Sequence, residues 1–147
     1  KVLVEGGREA REVECGVLQG RDGREPSTTL PGEVKVGADL EFYDYEAKYF
    51  GKGTVSIDVP AALPDAVLEE AREIACRAFR ALGLEGLARV DMFVTADHRV
   101  LVNEVNTMPG FTPYSMFPVL WENMGLSYAD LISELIEQAR SRRLGTR

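Results

Sequence analysis

The chain has 147 residues with 45% hydrophobic content, enough for one packed core, and no apolar run approaches the ~18 residues that would cross a membrane. A formal net charge of −7 argues against non-specific nucleic-acid binding, so a polyanionic ligand must find positive charge supplied locally. The two cysteines, Cys15 and Cys76, lack CxxC spacing and read as reduced core thiols of a cytoplasmic protein rather than metal ligands or a disulfide.

In chain order, residues 1–5 are strand-like and do not resemble a signal peptide. A glycine-rich link leads to a second strand over residues 12–18, whose alternation leaves Glu12 and Glu14 on one face. With Glu5, these read as solvated acids on a sheet edge. Residues 19–25 form a polar turn, and a short strand is expected over residues 30–34. Residues 41–49 are dense in aromatics and charge without a regular period, which suits a loop that covers something. Another short strand covers residues 54–59. A helix then runs to about Leu82, with Val67, Leu68, Ala71, Ile74, Ala75, Ala78, Phe79 and Leu82 on its buried face and Gly83 closing it.

Residues 87–94 and 100–105 flank the polar turn 96–99 and read as a β-hairpin. Asp91 and Glu104 interrupt these apolar runs, and a buried, unpaired carboxylate is costly. Side chains at i and i+2 share a face, so Asp91, Glu104 and the amide of Asn106 are able to converge across the strand pair. An all-oxygen set of that kind suits Mg²⁺ or Mn²⁺. Arg89 shares the face of Asp91, and a metal beside an arginine holds and polarises phosphates. The spacing is equally compatible with an ordinary hairpin carrying an Arg–Asp pair and solvated acids. Residues 108–118 follow as a proline-rich loop in which Gly110 permits close backbone approach. A short helix runs through Asn123 with Trp121 as a packing residue. Ser127 caps a last helix, residues 128–140, with Leu131, Ile132, Leu135 and Ile136 inward. A basic tail, Arg140-Ser141-Arg142-Arg143, ends the pattern.

Leu87-Ala88-Arg89-Val90-Asp91-Met92-Phe93, followed by Asn103-Glu104-Val105-Asn106-Thr107-Met108-Pro109-Gly110-Phe111-Thr112, resembles the ATP-grasp core of D-alanine–D-alanine ligases. Phe42-Tyr43-Asp44-Tyr45-Glu46-Ala47-Lys48-Tyr49 resembles the mobile loop of the same family. The resemblance implies an α+β fold: a mostly antiparallel sheet with packed helices, forming the C-terminal part of an ATP-grasp fold. It implies ATP-dependent joining of two D-alanines through an acyl-phosphate, for peptidoglycan. By the same resemblance, Asp91, Glu104 and Asn106 hold two Mg²⁺ or Mn²⁺ ions, with Glu104 as the bridge. Arg89 and the Gly110 N–H stabilise the developing oxyanion, and Lys48 steadies the transferred phosphate. Glu5, Phe42, Asn103 and Glu104 belong to the nucleotide site, Glu12 takes the ribose hydroxyls, and Tyr49 closes the loop over the second substrate. Ser115 and Met116 hold that substrate's carboxylate.

The resemblance spans residues 1–147 but only the C-terminal portion of a family member, so the N-terminal domain and the first part of the ATP-grasp domain are expected elsewhere. The chain alone is expected to be inactive. A full-length homodimer is compatible with the reading, and neither nucleic acid nor membrane is an expected partner. The alternatives are another ATP-grasp carboxylate–amine ligase, a D-alanine–D-lactate ligase, against which the Glu-Ala-Lys-Tyr loop speaks, and a nucleotide-binding module without turnover.

Overall fold

A computed structural model describes Gly7, residues 9–36 and residues 55–142. The expected strand 1–5 and the loop 41–49, and with them Glu5, Phe42, Lys48 and Tyr49, lie outside the described residues. Within them the strands are β1 (Ala10–Leu18), β2 (Ser27–Thr28), β3 (Glu33–Val36), β4 (Val55–Asp58), β5 (Leu87–Thr95) and β6 (Val100–Asn106). The helices are α1 (Asp65–Ala81), α2 (Met116–Asn123) and α3 (Tyr128–Ser141). β2, β1, β5 and β6 form one antiparallel sheet in that order, and β3 pairs with β4 in a second.

Period-two alternation sorts the large sheet into two faces. Val13, Cys15 and Val17 of β1 and Ala88, Val90, Met92 and Val94 of β5 point to one side. There they meet the stripe of α1 made by Leu68, Ala71, Ala75 and Phe79, and this is the main core. Burial pushes the Cys15 thiol above its ordinary pKa, more than the nearby Arg72 lowers it. α1 ends on Gly83, whose φ of +61° accommodates the reversal while its N–H bonds Arg80 O and Leu84 N–H bonds Phe79 O. Leu82 falls at that reversal and is 61% exposed, not inward, because the helix stops one residue before it.

On the other face, Leu18 and Leu87 at the end of β1 and β5 meet Phe117 and Trp121 of α2 and Leu131 of α3. Ser127 caps α3 by accepting from Asp130 N–H. α3 turns Leu131 and Leu135 toward this second core, so Ile132 and Ile136, one step round the helix, are exposed rather than inward. The short strand expected over residues 30–34 instead begins at Glu33. Pro31 has no N–H to give a ladder, and Gly32 makes a single bridge to Glu14. The β3–β4 pair is tied back to the large sheet by Arg11, which forks onto Glu33 at 2.8 and 2.5 Å and donates to Ala62 O.

One irregularity bears on function. From Val94 to Met92 the β5–β6 ladder runs opposite Val100 to Val102, then Asp91 pairs with Glu104. Asn103 is the extra residue of a β-bulge. Beyond it, Glu104 and Asn106 lie opposite Asp91 and Arg89, on the face away from α1.

Candidate active site

The middle of that second face carries a row of acids across three strands. Glu14 of β1 is the direct partner of Asp91 on β5, and Asp91 is the direct partner of Glu104 on β6. One step along, Gly16, Arg89 and Asn106 form the next row. Directly opposed residues in an antiparallel pair bring their Cβ atoms to roughly 5 Å. The structure thus places Arg89, Asp91, Glu104 and Asn106 together on one face. Asn103 joins them through the bulge, its Nδ2 reaching Glu12 Oε1 across β5 at 3.5 Å.

Arg89 organises the row. Its Nε and Nη2 fork onto Asp91 Oδ1 and Oδ2 at 2.7 and 2.6 Å. The same Nε lies 2.8 Å from Glu14 Oε2. Side-chain exposure is 18% for Arg89, 15% for Glu14 and 4% for Asp91, whereas Glu104 is exposed. Burial disfavours the charge on Arg89. The hydrogen bond to Asp91 and the charges of Glu14, Asp91 and Glu104 outweigh it and raise its pKa above the ordinary arginine value. Glu14 is therefore not one of three solvated acids on a sheet edge. β1 is an interior strand, and Glu14 faces an arginine. Glu12 does remain exposed.

Beyond β6 the chain turns at once. Asn106 Oδ1 accepts from Met108 N–H at 3.0 Å, setting the direction of residues 107–115. Thr112 N–H and its hydroxyl both meet Ser115 Oγ, at 3.1 and 2.9 Å. A Cβ on Gly110 would come within 3.0 Å of that same Oγ, so the turn brings the Gly110 backbone against Ser115. Ser115 stands at the start of α2. Met116 does not join it in the open, because its side chain is buried, with Sδ close to Gly32. The loop is pinned from behind by Tyr128, whose hydroxyl donates to Phe111 O at 2.7 Å.

The donor set fits a hard divalent cation. Both Asp91 oxygens bond Arg89, but a carboxylate has about four lone-pair sites, and the Asn106 carbonyl oxygen keeps a second. Among the described residues no group of three or more His, Cys, Asp or Glu gathers into a metal-binding cluster. The candidate set is two carboxylates and an amide. A cleft of about 570 Å³ opens beyond the Leu18 end of β1, lined by Gln19, Arg21, Glu85 and Gln138 among others, away from the acid row. The sequence pattern reads Glu14 as a solvated acid, although it stands directly between Val13 and Cys15, both buried in the core.

Residues 1–137 match the model of the D-ala D-ala ligase C-terminus family. Over its whole length the chain is 50% identical to the D-alanine–D-alanine ligase of Pseudarthrobacter chlorophenolicus and spans 39% of that protein. It is similar to the structure of the D-alanine–D-alanine ligase of Coxiella burnetii, with 37% identity and a TM-score of 0.73 over 92% of this chain and 33% of the other. A Bacillus anthracis D-alanine–D-alanine ligase complexed with ATP is 29% identical, with a TM-score of 0.69 over 90% of this chain and 40% of that one. The chain thus spans about two fifths of the length of the curated relatives it matches.

Proposed function

The chain belongs to the D-ala D-ala ligase C-terminus family, and we propose that it supplies the C-terminal part of the active cleft of an ATP-dependent ligase that joins two D-alanines for peptidoglycan. The observation that carries this reading is the convergence of Arg89, Asp91, Glu104 and Asn106 on one sheet face beside the turn that holds Gly110 and Ser115. The rest of the cleft, including the first D-alanine site, belongs to the part of such a ligase that this chain does not span. The working enzyme is cytoplasmic, and a homodimer is compatible with it.

In this mechanism ATP binds over the acid row. Glu12 accepts from the ribose hydroxyls, while Asn103, Glu104, Glu5, Phe42 and Lys48 complete the nucleotide site. Asp91, Glu104 and Asn106 would hold two Mg²⁺ or Mn²⁺ ions, which when bound offset phosphate charge and keep the transferring group in line. The carboxylate of the first D-alanine attacks the γ-phosphorus, the β–γ oxygen bridge breaks, and ADP leaves with that electron pair. The amine of the second D-alanine then attacks the acyl carbon, phosphate departs, and the amine loses its proton. Arg89 and the Gly110 N–H face the oxyanion that develops there, a place where preorganised donors act most strongly. Ser115 orients the second carboxylate.

The test is phosphate release by the full-length protein carrying this chain, with ATP, Mg²⁺ and D-alanine. D-alanine-dependent release with D-alanyl-D-alanine as product is expected. Release that requires D-lactate, or no release with D-alanine, overturns the reading.

A further inference from the structure

The three acids of the row have unequal surroundings. Asp91 takes the side edge of the Arg89 guanidinium, and Glu104 stands exposed on β6, the last strand of the sheet among the described residues. Glu14 belongs to neither case. It is largely buried, it comes from an interior strand, and its Oε2 sits 2.8 Å from the nitrogen that already donates to Asp91. A carboxylate taken that far out of water is retained only against a compensating charge. The ligase mechanism gives Arg89, Asp91 and Glu104 tasks and leaves Glu14 without one.

We propose that Glu14 is a positioning residue, the second carboxylate anchor of Arg89, which keeps the guanidinium on the site face when Asp91 turns toward a phosphate-bound cation. Both Asp91 oxygens face Arg89, so a cation that draws on Asp91 weakens the fork that aims the arginine. A guanidinium on a flexible stem would then follow Asp91 or swing free. Glu14 reaches Arg89 from β1, a different strand from Asp91, so its contact does not run through the Asp91 side chain. The Asp91 fork uses Nε and Nη2, which leaves Nη1 on the far side of the guanidinium from Asp91 and able to face substrate. Glu14 is not a cation ligand in this account, since it does not gather with Asp91 and Glu104 into a metal-binding cluster.

The kinetic consequence rests on the ligase reading, and the structural one rests on the ion contact alone. The experiment reads both in the full-length protein: steady-state kinetics, and the ¹⁵N-edited Nε–H resonance of Arg89, assigned by its loss in Arg89→Lys. Glu14→Gln keeps the shape and removes the charge. Its kcat is expected to fall about 10–100-fold, the usual cost of losing a partner that orients a functional group. Its KM for ATP should stay within about twofold. The Nε–H resonance should shift, and Glu14→Asp should recover part of kcat. An unchanged kcat, a loss confined to the KM for ATP, or an unmoved resonance in Glu14→Gln overturns the proposal. If the parent protein shows no D-alanine-dependent phosphate release, the ligase reading fails and the resonance alone decides on Glu14. Should Glu14→Gln not fold, Glu14→Asp is read by itself: its shorter side chain withdraws from Nε, and a resonance and kcat equal to the parent's overturn the proposal.

Discussion

Arg89 brings one positive charge to a row that holds three carboxylates, Glu14, Asp91 and Glu104. The excess negative charge is what a divalent cation offsets, and Glu104 is the member of the row most open to one. Glu104→Gln in the full-length protein is therefore expected to abolish D-alanine-dependent phosphate release, a loss of about 10²-fold or more, because a neutral amide does not bridge two cations. Near-parental release would remove Glu104 from the bridging role. Away from the site, Arg21 forks onto Glu134 at 2.7 and 2.5 Å and holds that carboxyl below its ordinary pKa, with Gln138 adding a third hydrogen bond. A carboxyl whose pKa is lowered in the folded state stabilises fully above its unfolded pKa and loses that contribution as pH falls through the folded value. Glu134→Gln should thus melt below the parent at neutral pH, and the two melting curves should converge in acid. A gap that persists or widens in acid would contradict this account. At this scale Arg89, Asp91 and Glu104 were legible, because charges inside apolar runs stand out. Glu14 was misread because its alternating neighbours suit an edge strand as well as an interior one, and strand order is a property of the whole sheet.

Among the elements, α2 depends on a missing side chain in β1. A Cβ added at Gly16 would lie 2.8 Å from Trp121 Nε1, 3.2 Å from Thr29 Cγ2 and 3.3 Å from the Phe117 ring. Gly16 also donates its N–H to Thr29 Oγ1. Gly16→Ala should force α2 off the sheet and destabilise by about 1–3 kcal/mol, as overpacking does, visible as a Tm lowered by several degrees. Since Ser115 immediately precedes α2, the same shift should weaken D-alanine binding more than ATP binding. An unaltered Tm would show that α2 has slack to give. The helices themselves were readable from 3.6-residue periodicity and from Gly83 and Ser127 at their ends. Which flank of α3 faces inward was not, because Leu131, Ile132, Leu135 and Ile136 offer two overlapping apolar stripes and only the contact with Phe117 and Trp121 selects between them.

For the molecule as a whole, the chain spans about two fifths of the length of the ligases it matches. Phosphate and first-substrate contacts from the remainder of a ligase would be missing from this chain by itself. Losing ~3–4 kcal/mol of such contacts weakens binding several hundredfold, at about 1.4 kcal/mol per decade. The isolated 147-residue chain is expected to bind Mg-ATP poorly by calorimetry and to make no dipeptide, and turnover by it alone would show that the missing part is dispensable. The α+β character and the mostly antiparallel sheet came with the family resemblance, and the β5–β6 hairpin was legible from its polar turn between two apolar runs. The split into a four-stranded and a two-stranded sheet was not, because which strands pair is set by contacts distant in sequence, such as Glu33 with Asp58.

The extra residue at Asn103 makes the hairpin a matter of phase. Counted back from the pairing of Val94 with Val100, an unbroken ladder would reach Asp91 at Asn103, set Glu104 against Val90, and turn that carboxylate toward α1. One added position restores the parity. Removing Asn103 should therefore be phase-neutral: Glu104 still meets Asp91, Asn106 still meets Arg89, and only the amide that reaches Glu12 is lost. Removing Val105 instead would rotate Asn106 into the core. The first deletion is expected to fold with a parental melting profile and the second is not, which makes position 103 the place where this hairpin can change length without reassigning its faces.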